Sequence, residues 1–321
     1  MSKILITGVN GFVGQAVCKR LRQDGVHVLA GTTRQLNSDP GPERVPLYHI
    51  PEIGPETDWT QAVSGAEIVI HLAARVHIMK ERSSDPFGAF RRVNSEGTKS
   101  LATQAAAAGV KRFVFISTAK VTGETSPDAG FTERDPARPE DHYSASKWEA
   151  EQTLADIANT TEMEIVILRP PLVYGPGVKG NFNALFRAVH AGIILPFGAV
   201  QNKRSLLFVG NLADAIASVT THPNASNQTF FVSDAETIST PELIQKMSAS
   251  LGKKARVIKF PLTLVKIGGL LIGKSGAIRR LIRSLTLDIN HIRTHLGWQP
   301  PYSMEEGLKE TARWFDKNVS K

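Results

Sequence analysis

Short apolar runs bounded by turn-forming or polar residues recur through the first half of the chain, at residues 4–7, 26–30, 68–72, 113–117 and 165–168. Runs this short and this uniformly apolar predict strands buried on both faces. Longer stretches of helical character separate them, at 14–23, 86–109 and 143–160. Strand and helix in alternation predict βαβ units, hence a parallel sheet, and right-handed crossovers place helices on both of its faces. The expectation is an α/β, doubly wound fold.

The pattern changes after Arg169. Pro170, Pro171, Gly175, Pro176, Gly177 and Gly180 punctuate a loop-rich passage, and helical stretches follow at 182–191, 211–221 and 241–251. A strand-like run at 229–232 is placed to rejoin the sheet. Residues 1–170 therefore read as the nucleotide-binding half, with a later return at about 205–235. Residues 171–321 read mainly as a smaller, discontinuous C-terminal lobe for substrate.

Composition narrows the partners. Hydrophobic residues make up 41% of the 321, which suits a globular chain. A formal charge of +8 and a pI near 9.6 favour an anionic partner. Lys and Arg are dispersed, at most two together as in Lys253-Lys254 and Arg279-Arg280, and no zinc-finger or RNA-binding signature accompanies them. Phosphate-bearing small molecules fit better than nucleic acid. The single cysteine, Cys18, permits no internal disulfide and fits a reducing, cytoplasmic setting. The apolar run after Met1 is too short for a signal peptide, and no stretch approaches the ~20 apolar residues of a spanning helix.

The first strand runs into Gly8-Val9-Asn10-Gly11-Phe12-Val13-Gly14, with a helix expected next. In such a turn the first glycine permits the tight bend and the second lets backbone approach a pyrophosphate. The third allows close packing of helix on strand. The N–H groups at the helix start then face the anion. This predicts a Rossmann-type dinucleotide site. The second strand ends in Thr32-Thr33-Arg34, without the acidic residue that grips a ribose 2′-hydroxyl. Arg34 suits a 2′-phosphate instead, so NADPH/NADP is the favoured cofactor and NAD the alternative.

Tyr143-Ser144-Ala145-Ser146-Lys147 opens a helical stretch, placing Tyr143 and Lys147 on one face about one turn (~6 Å) apart. A neighbouring ammonium lowers a phenol's pKa and fits it for proton transfer. Ser117-Thr118 ends the fourth strand, where α/β sheets present residues to ligands.

With these elements the chain resembles the extended short-chain dehydrogenase/reductases, the NAD-dependent epimerase/dehydratase family. The likeness rests on the glycine turn, His71-Leu72-Ala73-Ala74, Val93-Asn94 with Gly97-Thr98, Tyr143 with Lys147, and Arg169-Pro170 with Val173-Tyr174-Gly175-Pro176. It extends to Leu296-Gly297-Trp298 and Glu306-Gly307-Leu308. The resemblance implies Thr118, Tyr143 and Lys147 as the catalytic set. As cofactor contacts it implies Gly8, Asn10, Gly11, Phe12, Val13, Gly14, Leu72, Ala73, Ala74, Asn94, Pro170 and Val173, together with Tyr143 and Lys147. Within the family the chain looks most like reductases of nucleotide-activated 4-keto-6-deoxy sugars from surface polysaccharide pathways. That closer likeness is carried by Ala74-Arg75-Val76-His77, the run from Arg169 to Phe182, and Arg204-Ser205-Leu206. It implies a nucleotide-sugar substrate, with Arg75, Thr118, Asn181 and Arg204 as its contacts. Reduction of the C4 keto group, of a UDP-linked N-acetyl hexosulose in particular, is the expected reaction. The alternatives are a 4-epimerase that keeps its NAD and a non-catalytic dinucleotide sensor. Leu172 stands where epimerases carry an asparagine, and Thr122 where many relatives carry tyrosine.

Other features carry plainer readings. Cys18 reads as a small buried hydrophobe. His291 and His295 are four apart, but the glutamate of His-Glu-x-x-His and a third ligand are missing, so no metal is assigned. Arg75 and His77 follow a strand end. The stretch 262–285 mixes apolar residues with Lys266, Lys274, Arg279, Arg280 and Arg283, and is expected to be a core-facing helix with a solvated basic face. Membrane contact is the less favoured reading of that stretch, and a homodimer is left open.

Overall fold

The computed structural model describes residues 2–25, 27–34, 45–76, 85–271, 273 and 275–319. Val26, His77 and Lys274, which figure in the readings above, lie outside them. The strands are β1 (Ser2–Thr7), β2 (His27–Thr33), β3 (Leu47–His49), β4 (Ile68–His71), β5 (Arg112–Ile116), β6 (Glu164–Arg169), β7 (Leu172–Tyr174), β8 (Arg204–Phe208), β9 (Thr229–Phe231) and β10 (Thr237–Ile238). Seven of them form an all-parallel sheet in the order β3-β2-β1-β4-β5-β6-β9. This is the expected doubly wound α/β sheet. Its strands are apolar on both faces because each face is covered. Helices Phe12–Asp24 and Val209–Thr221 cover one face, with Ile4, Ile6, Val17, Leu21, Leu212 and Ile216 in their core. Helices Gly97–Ala107 and His142–Thr160 cover the other, around Leu5, Val69, Leu101, Phe113 and Leu154.

β3 was not legible in the sequence. It is a three-residue edge strand preceded by Pro46, too short for a periodic signal. The helical stretch 86–109 is likewise not uniform. A π turn, Arg92–Glu96, separates helices Pro86–Arg91 and Gly97–Ala107.

The second lobe has its own three-stranded sheet, in the order β10-β8-β7, and its own apolar core of Tyr174, Phe182, Phe186, Phe208, Met247 and Phe315 among others. The return expected at about 205–235 spans β8, helix Val209–Thr221 and β9. β8 runs parallel to β7 and antiparallel to β10, with Leu206 and Phe208 in the second-lobe core and Leu207 in the first-lobe core. Helix Val209–Thr221 and β9 then complete the first lobe.

One correction concerns 262–285. It forms two helices, Leu262–Leu271 and Ser275–Ile282, with Gly273 in the left-handed region (φ +66°) between them. Only Val265 and Gly269 of the first are buried, and none of the second. Leu262, Ile278, Leu281 and Ile282 are half-buried against the second-lobe core, but Leu270 at 70% and Leu271 at 81% are exposed. The first helix rests on the molecule along a stripe too narrow to bury them. Among the described residues, no helix is long and apolar enough to cross a membrane.

Candidate active site

Strand order reverses on either side of β1 and β4, which makes the crevice beyond their C-terminal ends the topological switch point, where open α/β sheets take ligands. The glycine turn follows β1 there. Gly8 has φ +70°, and a Cβ on it would sit 3.0 Å from Ala73 N, on the segment after β4. A Cβ on Gly14 would come 2.3 Å from Gly8 O, so the helix packs on the turn only with glycine there. Gly11 is exposed, and it precedes helix Phe12–Asp24 with no side chain capping the helix start. An open turn leading to uncapped N–H groups fits the pyrophosphate of a dinucleotide.

Buried hydrogen bonds knit the two strand ends together. The Thr7 hydroxyl accepts from Leu72 N and Ala73 N at 3.2 and 3.1 Å and meets His71 Nδ1 at 2.7 Å. His71 Nε2 reaches Thr98 Oγ1 at 3.0 Å, and that hydroxyl donates to Asn94 O. The pattern assigns the proton of His71 to Nε2, with Nδ1 accepting from Thr7. Burial, reinforced by the Lys147 charge, lowers the pKa of His71 to about 3, so the ring is neutral.

Helix His142–Thr160 begins with a capping box, in which the Asp141 carboxylate accepts from Ser144 N at 2.7 Å. That cap aims the first turn, and with it Tyr143, at the crevice. Thr118 caps the short turn Ala119–Val121 after β5, and Ala119 N donates to Pro170 O at 2.8 Å. Thr118, Tyr143 and Lys147 line one cavity of about 640 Å³, shared with Val13, Leu72, Ala74, Pro170 and Val173.

The electrostatics differ from the expectation. Lys147 Nζ donates to Ile116 O at 2.8 Å and lies 4.2 Å from the centre of the Phe115 ring. Burial lowers its pKa to about 7, opposed by Glu151 one turn along the helix. Tyr143 is pushed up, not down, first by desolvation and then by the Asp141 charge. A half-neutralised ammonium turned to a carbonyl does not offset the desolvation of the phenol. Beneath this pair, Glu151 accepts from Arg169 through both of its oxygens and from the Ser117 hydroxyl.

The far wall of the same cavity comes from the second lobe and carries Arg204, Arg280, Arg283 and Asn181. Arg204 forms no ion pair among the described residues, and burial followed by the Arg280 charge lowers its pKa to about 10. With its amide oxygen turned to the guanidinium, Asn181 accepts from Arg280 Nε and Nη2, both at 2.9 Å. Arg283 faces Glu124 at 3.6 Å and Glu140 at 3.3 Å. Arg280 and Arg283 were read in the sequence as part of a solvated basic face. Their spacing of three was the available signal, but only the tertiary fold brings Arg280, on helix Ser275–Ile282, and Arg283, just after it, to the cavity. Lys120, Glu124 and Asp141 were also missed. Lys120 Nζ bridges the two carboxylates on the cavity wall, at 2.7 and 2.5 Å.

Asn94, Arg75 and Arg34, like the turn residues Gly8, Gly11 and Gly14, lie off this cavity's wall. Asn94 spends its amide on Arg75 N, Arg75 O and Ser146 Oγ, and is off the cavity wall. It braces the segment after β4. The Arg75 guanidinium lies over the Phe90 ring at 5.5 Å, also off the wall. Arg34 is exposed at the end of β2, away from this cavity. His291 and His295 stack on each other, with ring centres 5.2 Å apart, and lean on Phe230. Cys18 is buried in the first-lobe core, as read.

The model of the NAD dependent epimerase/dehydratase family matches residues 4–232, well over half the chain. The chain belongs to this family. A UDP-glucose 4-epimerase of Vibrio cholerae is 42% identical over 97% of the chain and 95% of its own length. An epimerase of Escherichia coli O157:H7 acting on undecaprenol-linked N-acetylglucosaminyl diphosphate is 25% identical over 97% of the chain and 94% of its own length. Among solved structures, the UDP-glucuronic acid 4-epimerase of Bacillus cereus in complex with NAD superposes with a TM-score of 0.78 at 20% identity, over 98% of this chain and 96% of that one. That likeness shows the fold. As a member of the epimerase/dehydratase family, the chain is a nucleotide-sugar-type, NAD-dependent enzyme.

Proposed function

We propose that this family member reduces the C4 keto group of a UDP-linked 4-keto-6-deoxy N-acetyl hexosulose with NADPH, the reaction that forms UDP-N-acetylquinovosamine. The observation that carries the reading is that one cavity joins Thr118, Tyr143 and Lys147 on the first lobe to Arg204, Arg280 and Arg283 on the second. Three guanidinium groups opposite a proton donor suit a substrate with a diphosphate at one end and a reacting oxygen at the other.

The glycine turn and the uncapped helix start would hold the pyrophosphate, and Arg34 a 2′-phosphate. Hydride for C4 is what a reduced nicotinamide supplies when bound. Thr118 donates a hydrogen bond to the C4 oxygen. Tyr143, with its pKa held above the ordinary phenol value, keeps its proton at neutral pH and delivers it to the oxygen as alkoxide character develops. Lys147, held by the Ile116 carbonyl, would bind the nicotinamide ribose. Arg204 and Arg280 take the diphosphate, with Asn181 holding Arg280 in place.

A second reading is a UDP-sugar 4-epimerase, favoured by the 42% identical relative of that name. Cofactor stoichiometry separates the two. The purified chain with a UDP-4-keto-6-deoxy sugar is expected to consume one NADPH per product, with the product's C4 configuration read by NMR. Interconversion of UDP-glucose and its C4 epimer with no net cofactor change would establish the epimerase and overturn the reductase.

A further inference from the structure

Charge is segregated in this chain. Residues 243–287 contain ten of the 38 Lys and Arg and none of the 30 Asp and Glu. The remainder of the chain is therefore slightly acidic, 28 against 30. All of the net charge of +8 belongs to one stretch of the second lobe.

That stretch also carries six of the twelve large hydrophobic side chains that are exposed among the described residues. In helix Leu262–Leu271 the buried positions are Val265 and Gly269, while Leu264, Ile267, Leu270 and Leu271 are 51–81% exposed. At 100° per residue these four cluster opposite the buried pair, so the helix is apolar on its outer side, the reverse of an ordinary surface helix. Ile258 and Phe260 precede it and are 46% and 39% exposed. Exposed Ile193 and Ile194 join the same face through the hydrogen bond of Ile258 N to Leu195 O at 3.1 Å. Lys254, Lys259, Lys266 and Arg279 are exposed around it and form no ion pair among the described residues. An apolar face of this kind rimmed by cations marks an interaction surface.

We propose that the face formed by 193–194 and 258–271 docks peripherally on an anionic lipid bilayer. Charge decides between this and a second copy of the chain. A two-fold contact would set each copy's unbalanced cations against the other's, whereas lipid phosphates neutralise them. An outward apolar helix face with flanking Lys and Arg settles at the headgroup boundary without spanning. The surface adjoins the active site. Gly269 packs against Ile278, and the helix bearing Ile278 carries Arg280 into the cavity wall. The inference is independent of which sugar reaction the cavity performs.

The test is co-sedimentation of the full chain with vesicles of phosphatidylcholine mixed with phosphatidylglycerol, and of phosphatidylcholine alone. Binding to the mixed vesicles is expected, weakened by salt and absent on the neutral ones. The double variant Leu270→Ser/Leu271→Ser is expected to bind at least about tenfold more weakly, since burial of each leucine is worth more than a factor of ten in such an equilibrium. Its thermal midpoint and dinucleotide affinity should match the parent, which excludes misfolding. Lys111→Gln, on the first lobe, should bind as the parent does. Failure to bind the mixed vesicles overturns the proposal. So does equal binding by the leucine variant, which would mean unspecific charge attraction. A concentration-dependent dimer abolished by the leucine variant, without vesicle binding, would assign the face to a second copy.

Discussion

The Lys147 ammonium donates to the Ile116 carbonyl at 2.8 Å, so the lysine one turn after Tyr143 is anchored to the end of β5 and not to the phenol. The phenol's pKa is set by burial and by Asp141, both of which keep it protonated. The phenol therefore carries a proton at neutral pH, as a group that is to donate one must. Tyr143→Phe should lower kcat by at least ~10²-fold while dinucleotide affinity stays near the parent value, checked by steady-state kinetics and by cofactor fluorescence titration.

Lys147 predicts a pH dependence of stability. Its pKa is about 7 in the folded chain against 10.5 unfolded. Between these values the unfolded state binds more protons, so the lysine's contribution makes stability rise with pH from about 7 to about 10.5. Urea unfolding across this range should show that rise, and Lys147→Met should flatten it. A parent slope unchanged in the variant would show that the lysine is charged in the fold.

The glycines of the turn should separate by role. Gly11→Val projects into the open side of the turn and should weaken dinucleotide binding by at least roughly tenfold with the fold kept. Gly14→Ala places a Cβ 2.3 Å from Gly8 O and 2.6 Å from Val9 O. It should lower stability by roughly 1–3 kcal/mol, visible as a lower thermal midpoint.

Arg34→Ala should weaken NADPH by about 10- to 100-fold and leave NADH nearly unchanged. A charge-assisted contact is worth about 1.5–3 kcal/mol. Equal losses for both cofactors would refute the 2′-phosphate assignment.

Arg204→Ala should raise KM for the sugar nucleotide by roughly 10- to 100-fold, with a smaller change in kcat, because the diphosphate is remote from C4. The thermal midpoint should not fall. Arg204 has no ion pair to lose among the described residues, and its removal relieves both burial and repulsion from Arg280. Asn181→Ala should produce a weaker KM effect, acting through Arg280.

The local chain determined a good deal by itself. Apolar runs marked five of the seven strands of the main sheet in the first 170 residues, and the run at 229–232 supplied β9. The spacing of Gly8, Gly11 and Gly14 marked the turn, because helix and strand can meet there only over small residues. Tyr143 and Lys147 were legible because four residues is one helical turn. Short-range spacing of this kind is conserved by covalent geometry whatever the rest of the molecule does.

Tertiary structure alone decided the rest. A π turn carries Asn94 onto the backbone of Arg75, and the Arg75 guanidinium lies over the Phe90 ring, contacts that no local pattern announces. β8 could not be assigned to a lobe from its sequence, since strand identity depends on distant partners, here Leu172–Tyr174 and Thr237–Ile238. Arg280 joined Arg204 across 76 positions of sequence, a proximity no local pattern encodes. The apolar side of helix Leu262–Leu271 was plain in the sequence, but its direction was not. Periodicity shows that a helix has two faces, and only the packed neighbours determine which of them meets water.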